Sequence, residues 1–424
     1  MLLPHEKKTF FYHTIYSIIE GVLLGALALN EFVLVKSLGG SNYQISFLFQ
    51  FQHVVLFFSL LFHEILRRTS NSKKLLLRVA FFTRLPLLLI AFFPSVIVPG
   101  DSGSIYPSLF LLVFLIYFLA TPIIFPTINL LLKNSYSHAN FGKYYSYATS
   151  INKIVMMVVT FGFGYWLDFN PVAYRYVYPI LGVLGFISIA LLIRIPYKST
   201  ATETLRLPLY DDLLSSLKNI KHILITNKPF RDFEIGFMFY GFAWMSSAAV
   251  ITIFFSKGLD LNYTSIAVYK NVYNIMAIAL LPYFGSLLGK IDPRKFAIIT
   301  FFSLMIYIVF LGVTSLWKSH VVLGDFTLYW GLVPSYLGYG FFTATMALLW
   351  SIGSAYFCRP QESGYYQSLH LSLTGFRAIF APLIGVWFYE LYGFFWAFMI
   401  GVLSLIISIV WLLYSMHRHQ NYGV

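Results

Sequence analysis

Residues 363–389 read SGYYQSLHLSLTGFRAIFAPLIGVWFY, and residues 142–168 read GKYYSYATSINKIVMMVVTFGFGYWLD. Sliding the chain along itself by about 221 positions lays one on the other: Tyr144-Tyr145, Gly164 and Trp166 fall on Tyr365-Tyr366, Gly385 and Trp387. The same shift carries Lys36 onto Lys257 and Lys73-Lys74 onto Arg294-Lys295, and one residue off it Asn42-Tyr43 meets Asn262-Tyr263. Tyrosine and tryptophan recur at membrane interfaces anyway, and the chain is 20% aromatic. Four coincident features, two of them basic, point instead to duplication of one unit.

Working outward from the repeat, the medium of that unit follows from composition. Hydrophobic residues fill 58% of 424 positions and charged ones 11%, too few to give a soluble chain of this size a polar surface, so the solvent is lipid. Hydropathy gives spans near 9–35, 42–66, 75–97, 105–132, 143–167, 172–194, 231–256, 263–288, 296–317, 326–356, 363–389 and 393–415. The apolar run after MLLPHEKKTF has no cleavage site and reads as the first permanent span. The net charge of +13 is topological rather than a nucleic-acid footprint, because Lys and Arg concentrate in loops on one side, which places both termini in the cytoplasm. Cys358 is the lone cysteine, which excludes an intrachain disulfide and a thiolate metal cluster.

The expected fold is an all-α membrane protein of twelve helices in two pseudo-symmetric six-helix bundles. One occupies 1–196 and the other 230–424, with a cytoplasmic linker at 197–229. Within the linker, 209–225 reads as an amphipathic helix on the membrane surface: Leu213, Leu214, Leu217, Ile220 and Leu224 share a face, Asp211 and Asp212 sit at its start, and Lys218, Lys221 and His222 toward its end. Six plus six helices in parallel orientation is the repeat plan of one large transporter fold.

Two motifs carry a resemblance to a family. The turn between the eighth and ninth spans, Gly285-Ser-Leu-Leu-Gly289-Lys290-Ile-Asp292-Pro-Arg294-Lys295, has a more eroded copy after the second span, around His63-Glu64-Ile-Leu-Arg67-Arg68. The eleventh span, Gly364-Tyr-Tyr-Gln-Ser-Leu-His-Leu-Ser-Leu-Thr-Gly-Phe-Arg377 followed by Ala381-Pro382-Leu-Ile-Gly385, is the second. Together they resemble the major facilitator superfamily over essentially the whole chain, and the eleventh span is similar to that of bacterial members, which implies a bacterial inner membrane. The family usually carries an aspartate where Gly289 stands, so Glu64 and Asp292 are the substitutes this sequence offers. The resemblance implies gating roles for Asp292, Arg294, Lys295, Lys73 and Lys74. It also implies a central cavity surrounded by spans one, two, four, five, seven, eight, ten and eleven.

Ionisable groups deep in a membrane are costly and mark function or a structural partner. Glu20 lies about ten residues into the first span, ~15 Å along it. Lys153 and Arg377 reach similar depth, and Lys270 sits nearer the outside. Polar neighbours recur at three- and four-residue spacing, the period of one helical face. Such stripes are His13, Ser17 and Glu20; Tyr43, Ser46, Gln50 and His53; Tyr145, Thr149, Asn152, Lys153 and Thr160; and Gln367, His370, Thr374 and Arg377. The tenth span carries an aromatic stripe, Tyr336, Tyr339, Thr343, Met346 and Trp350, and the seventh adds Phe237, Tyr240 and Trp244. Pro122 and Pro126 interrupt the fourth.

Three bases against one acid favour an anionic solute drawn by Lys153, Lys270 and Arg377, with Gln50, His53, Asn152, His370, Thr374, Trp244, Tyr336 and Tyr339 as further binding residues. Glu20 is then a counter-ion or a proton carrier, or else a structural partner of Lys153 or Arg377. Arg84, in the third span, is expected to be structural. His53 and His63 differ by ten positions, ~280° around a helix, and do not share a metal. Gly21-x-x-x-Gly25 and Gly285-x-x-x-Gly289 read as sites of close helix approach.

The leading function is alternating-access transport of a small anion, by symport or antiport, with protons as the coupling ion through Glu20. The alternative is export of an amphipathic drug-like or lipid-like compound through an aromatic pocket. A lipid-processing enzyme would need a His, Asp, Ser or Cys cluster at one interface, which the sequence lacks, and no phosphate-binding loop supports ATP-driven pumping. No cofactor and no metal are expected. The expected partners are a small-molecule substrate, protons and the bilayer, with no nucleic acid, and the expected state is a monomer.

Overall fold

The computed structural model of the chain describes residues 4–57, 71–94, 104–136, 138–195, 218, 221–288, 290–358 and 363–419. Most of the expected surface helix at 209–225, the first basic turn with His63, Glu64, Arg67 and Arg68, and Gly289 lie outside the described residues.

The described helices are α1 (Pro4–Leu27), α2 (Asn42–Phe57), α3 (Ser72–Arg84), α4 (Tyr106–Phe118), α5 (Thr121–Ser135), α6 (His138–Phe169), α7 (Tyr174–Leu192), α8 (Lys228–Ile253), α9 (Tyr263–Leu288), α10 (Pro293–Leu316), α11 (Leu332–Ile352), α12 (Ser363–Ala378) and α13 (Ala381–Arg418). Among the described residues ten helices are long and apolar enough to cross a membrane.

Proline and glycine set the breaks. Pro86, at the first turn after α3, changes the helix to a tighter 3-10 form over Leu85–Phe92. Pro122 stands in the first turn of α5, where its missing N–H costs nothing, so α4 stops at Phe118 and α5 starts at Thr121. Inside α13 the backbone of Gly393 takes a φ of 79°, which only glycine adopts at little cost, and the axis turns there.

One element departs from the all-helical expectation. Residues 326–329, placed at the head of the tenth span, instead form strand β2 (Phe326–Tyr329), paired antiparallel with β1 (His320–Leu323), and α11 begins only at Leu332. Gly324 (φ 61°) and Asp325 make the turn. Tyr329 anchors the hairpin by donating to the Leu259 carbonyl at 3.0 Å. Burial, together with the charge of Asp260, pushes its phenol above the usual value.

The duplication reappears as geometry. Val33–Ser37 and Phe254–Gly258 are both π-helical, 221 positions apart. Each is followed by the same backbone bond: Gly40 N–H to Leu34 O at 2.8 Å and Leu261 N–H to Phe255 O at 2.9 Å. Asn71 and Asp292 stand at that spacing too, and each accepts an N–H at the start of its helix, α3 and α10.

The described residues fall into two compact units, one drawn from 1–44 and 58–206, the other from 45–57 and 207–424. In the first, α1 packs on α6 where Gly21 and Gly25 let the carbonyls of Asn152 and Met156 come close. Asn152 donates to the Ser17 carbonyl at 2.9 Å and Thr160 to that of Gly25 at 2.9 Å. In the second, α8 packs on α13: Ser408 donates to Gly236 O (2.7 Å), Ser404 to Phe239 O (2.8 Å), and the backbone of Ser246 sits against Gly385. The second unit takes in α2 from Ile45 to Phe57. Gln50 reaches the Ile379 carbonyl at 2.6 Å, at the break between α12 and α13, and Ser46 the Pro382 carbonyl at 3.3 Å.

A Cβ at Gly385 would overlap the Ser246 backbone, whereas one at Gly162 would meet nothing. Gly385→Val is therefore expected to destabilise the purified protein by about 1–3 kcal/mol, seen as a lowered thermal midpoint. Gly162→Ala should leave that midpoint where it was or raise it slightly.

Candidate functional site

In the second unit, one face of α8 carries Glu234, Phe237, Gly241 and Trp244 and meets the stripe His370, Thr374 and Arg377 of α12, each set at helical spacing. The guanidinium of Arg377 is 2% exposed. It fills a notch that exists because residue 241 is glycine, since a Cβ there would overlap it. Its Nη1 donates to the Phe237 carbonyl at 2.5 Å and its Nη2 to Thr374 Oγ1 at 3.2 Å. The Tyr240 ring lies 5.7 Å from its Cζ. All these partners are neutral, and the buried Nε has no hydrogen-bond partner.

Beside it, Glu234 and His370 form a pair that is almost fully buried, with His370 Nδ1 at 3.0 and 3.2 Å from the two carboxylate oxygens. The imidazole is held edge-on between Phe237 and Trp350, each 4.8 Å away between centroids. His370 Nε2 is buried without a partner. Thr374 Oγ1 donates to the His370 carbonyl at 3.0 Å and accepts from Arg377, so a single hydroxyl joins the two.

Next along α8 is an aromatic layer. Tyr339 stacks on Trp244 (5.7 Å) and Tyr307 (4.4 Å) and meets Tyr273 edge-on (4.5 Å). Tyr336 lies 6.0 Å from Tyr339 and also forms part of the wall of an apolar groove of about 460 Å³ between α9 and α11, with Val272, Met276 and Leu337. Lys270, half-buried on α9, has partners of its own. His53, on α2, holds the Phe49 carbonyl at 3.2 Å.

In the first unit Glu20 faces Arg84 at 3.7 Å and accepts from Ser188 Oγ at 3.2 Å. Arg84 also lies 4.2 Å over the ring of Tyr117. The sequence offered Lys153 or Arg377 as the structural partner of Glu20, and the geometry supplies Arg84 instead. Lys153 is exposed on α6, and its neighbour Asn152 gives its amide to Ser17.

At the helix starts, Asp292 holds Arg294 at 2.7 Å, and Arg294 continues to the Ser415 and His419 carbonyls at 3.0 Å each. Ser415 Oγ then donates to Asp232 at 3.0 Å. Lys73 donates to the Ile195 carbonyl at 2.6 Å, while Lys74 and Lys295 are exposed. Among the described residues no group of three or more His, Cys, Asp or Glu is placed to hold a metal.

Glu234 was not singled out from sequence, because it lies one turn inside a span read as starting at 231. The repeat held the signal: 221 positions earlier stands His13, on the polar face of the first span, where it meets the Tyr136 hydroxyl at 3.2 Å.

The family model of the Major Facilitator Superfamily matches residues 9–357, and the chain belongs to that family. It is thus a multi-pass membrane transporter, not an enzyme. Among curated proteins none matches the sequence. Among solved structures the chain is similar to a mutant of the nucleoside transporter NupG, at TM-score 0.73 and 13% identity, over 96% of this chain and 99% of that one. A proton dependent oligopeptide transporter follows at 0.66 and 12%, covering 97% and 99%. A D-xylose-proton symporter gives 0.65 and 14%, covering 95% and 97%. At such identities the likeness concerns the fold alone.

If Glu20 and Arg84 form a structural ion pair, Glu20→Gln leaves a buried cation uncompensated and should cost about 3 kcal/mol. Adding Arg84→Gln should restore part of the loss. Thermal unfolding of the single and double variants reads this, and additive losses would mean that the two do not interact.

Proposed function

We propose that the chain is a twelve-span secondary transporter that moves a small anionic solute by alternating access between bundles at 1–196 and 230–424. The ten apolar helices among the described residues, α2, and the division of the last helix at Gly393 support a count of twelve. The excess of Lys and Arg in the loops of one side supports cytoplasmic termini, and the resemblance of the eleventh span to bacterial members supports a bacterial inner membrane.

The observation that carries the anionic reading is Arg377. A buried guanidinium whose hydrogen bonds go only to neutral groups, with Nε unpartnered, retains both charge and a donor for a carboxylate or similar acceptor. Lys270, in the same unit, would add field from α9, and Lys153 is proposed as the basic residue that the first unit contributes to binding. The neighbouring layer of Trp244 and Tyr339 gives an organic anion a flat surface to stack on. That same layer favours the second reading, export of an amphipathic compound, for which the aromatic faces rather than the base would supply the affinity. Asp292, Arg294, Lys73, Lys74 and Lys295 serve the gates on this reading.

The two readings separate in a thermal-shift screen of benzoate and lactate, their neutral amides, and tetraphenylphosphonium, since ligand binding to the folded state raises the midpoint. The carboxylates are expected to stabilise the protein, and Arg377→Gln to weaken them about 10–100-fold, the worth of a charge-assisted hydrogen bond, with far less effect on the amides. Equal loss for acid and amide would sink the anionic reading. Stabilisation by the phosphonium alone would favour the exporter.

A further inference from the structure

We infer that the Glu234–His370 pair is a proton-binding site linked to the anion site at Arg377, so that each monovalent anion crosses together with one proton and no net charge. The inference rests on the anionic reading of Arg377.

The 3.0 Å contact is met in two ways, by an ionised Glu234 accepting from His370 Nδ1–H or by a protonated Glu234 donating to a bare Nδ1. In the first of these the pair is a neutral imidazole beside a carboxylate, and it can take up one more proton. His370 Nε2, buried and unpartnered, offers that proton a place within the pair. Counted over Glu234, His370 and Arg377, the site has no net charge while the imidazole is neutral. A bound monovalent anion leaves it with one uncompensated negative charge in a poorly hydrated place, which is expensive. A proton on Nε2, taken from water on the side of entry and returned to water on the other, restores neutrality.

Anion and proton therefore assist each other. His370 and Arg377 stand seven residues apart on α12, ~10 Å of helix rise. At that separation and an effective dielectric of ~20, the coupling is on the order of tenfold in affinity. Thr374 and Phe237 hold both groups, so their spacing is fixed.

Other titratable groups around the pair are engaged or farther off. On α8, Asp232 takes Arg231 and Ser415 of α13, with His419 at 3.6 Å. On α10, Arg294 is held by Asp292. On α2, His53 lies within electrostatic reach of Arg377 and its Nδ1 meets the Phe49 carbonyl. Tyr240 presents a ring face to Arg377. Glu20, the proton carrier suggested by sequence, lies in the first unit with its own cation in Arg84.

The test is calorimetric titration of the purified protein with benzoate and with lactate in two buffers of different ionisation heat, which counts protons taken up per anion bound. The wild-type protein should take up more than about half a proton per anion at the pH of maximum uptake, given tenfold linkage. Glu20→Gln should behave the same, whereas Glu234→Gln and His370→Gln should bind with uptake near zero. Anion binding without proton uptake in the wild type, or uptake lost in Glu20→Gln and kept in the other two, overturns the inference while leaving the anionic reading in place. Binding of the amides but of neither acid overturns both. The wild-type protein gives a further check that needs no variant. In liposomes, uptake of the bound carboxylate should follow a pH gradient and ignore a valinomycin-imposed potential, and a rate that follows the potential would refute electroneutral crossing of one anion with one proton.

Discussion

A guanidinium enclosed by aromatic and apolar side chains carries a desolvation cost of several kcal/mol, and the contact of α8 with α12 in the second unit is arranged around how Arg377 meets it. The charge cannot be shed, since arginine does not deprotonate in proteins. It is offset by the Phe237 carbonyl, the Thr374 hydroxyl and the face of Tyr240, and by Glu234 within electrostatic reach. To accept a side chain into its backbone, α8 must present glycine at 241. Once Phe237 gives its carbonyl to Arg377 and its ring to His370, the register between α8 and α12 is set, and Glu234 falls opposite the imidazole.

The duplication shows how the two units diverged around this point. Gly241 is the repeat partner of Glu20, 221 positions earlier. The first unit placed an acid there and met it with Arg84 from α3 and Ser188 from α7. The second removed the side chain altogether and let an arginine from α12 enter. His13 and Glu234, also repeat partners, both kept a titratable group, one with a tyrosine hydroxyl and one with a histidine. Outside these positions the units still share a π-helical turn, its following backbone bond and a capped helix start. The backbone plan was therefore retained while the buried charges were reassigned.

Such reassignment limits what a sequence can disclose. Helix positions were legible because an apolar run of ~20 residues is what a bilayer demands of a helix that spans it, and the repeat because its markers stand at a constant offset. The hairpin at 320–329 was lost because Phe326-Thr-Leu-Tyr329 adds hydropathy to the helix after it, although Gly324-Asp325 between alternating residues is a turn signal. The stripe His370, Thr374, Arg377 could be read from one helix's period. The identity of partners could not, because a pair such as Glu234 with His370 spans 136 positions and depends on rotations about two helix axes. For the same reason Glu20 was matched with the basic residues of comparable depth rather than with Arg84, whose helix is peripheral in the expected arrangement.

Depth alone therefore ranks buried charges poorly, and compensation ranks them better. Arg294 has both oxygens of Asp292 and two further carbonyls, and the charge of Arg84 is met by Glu20 and an aromatic face, although its Nε and Nη1 are also buried without a hydrogen-bond partner. Ions satisfied in this way are costly to disturb and gain little from a passing solute. Arg377 has only neutral acceptors and an idle Nε, and His370 has an idle Nε2, with the Thr374 hydroxyl bridging the two residues. Unmet donors and acceptors at such depth lower stability, and a ligand that satisfies them recovers that cost on binding. A solute bringing one negative charge, with a proton to match it, satisfies both groups together. The two idle nitrogens are for that reason better understood as one site than as two separate imperfections of packing.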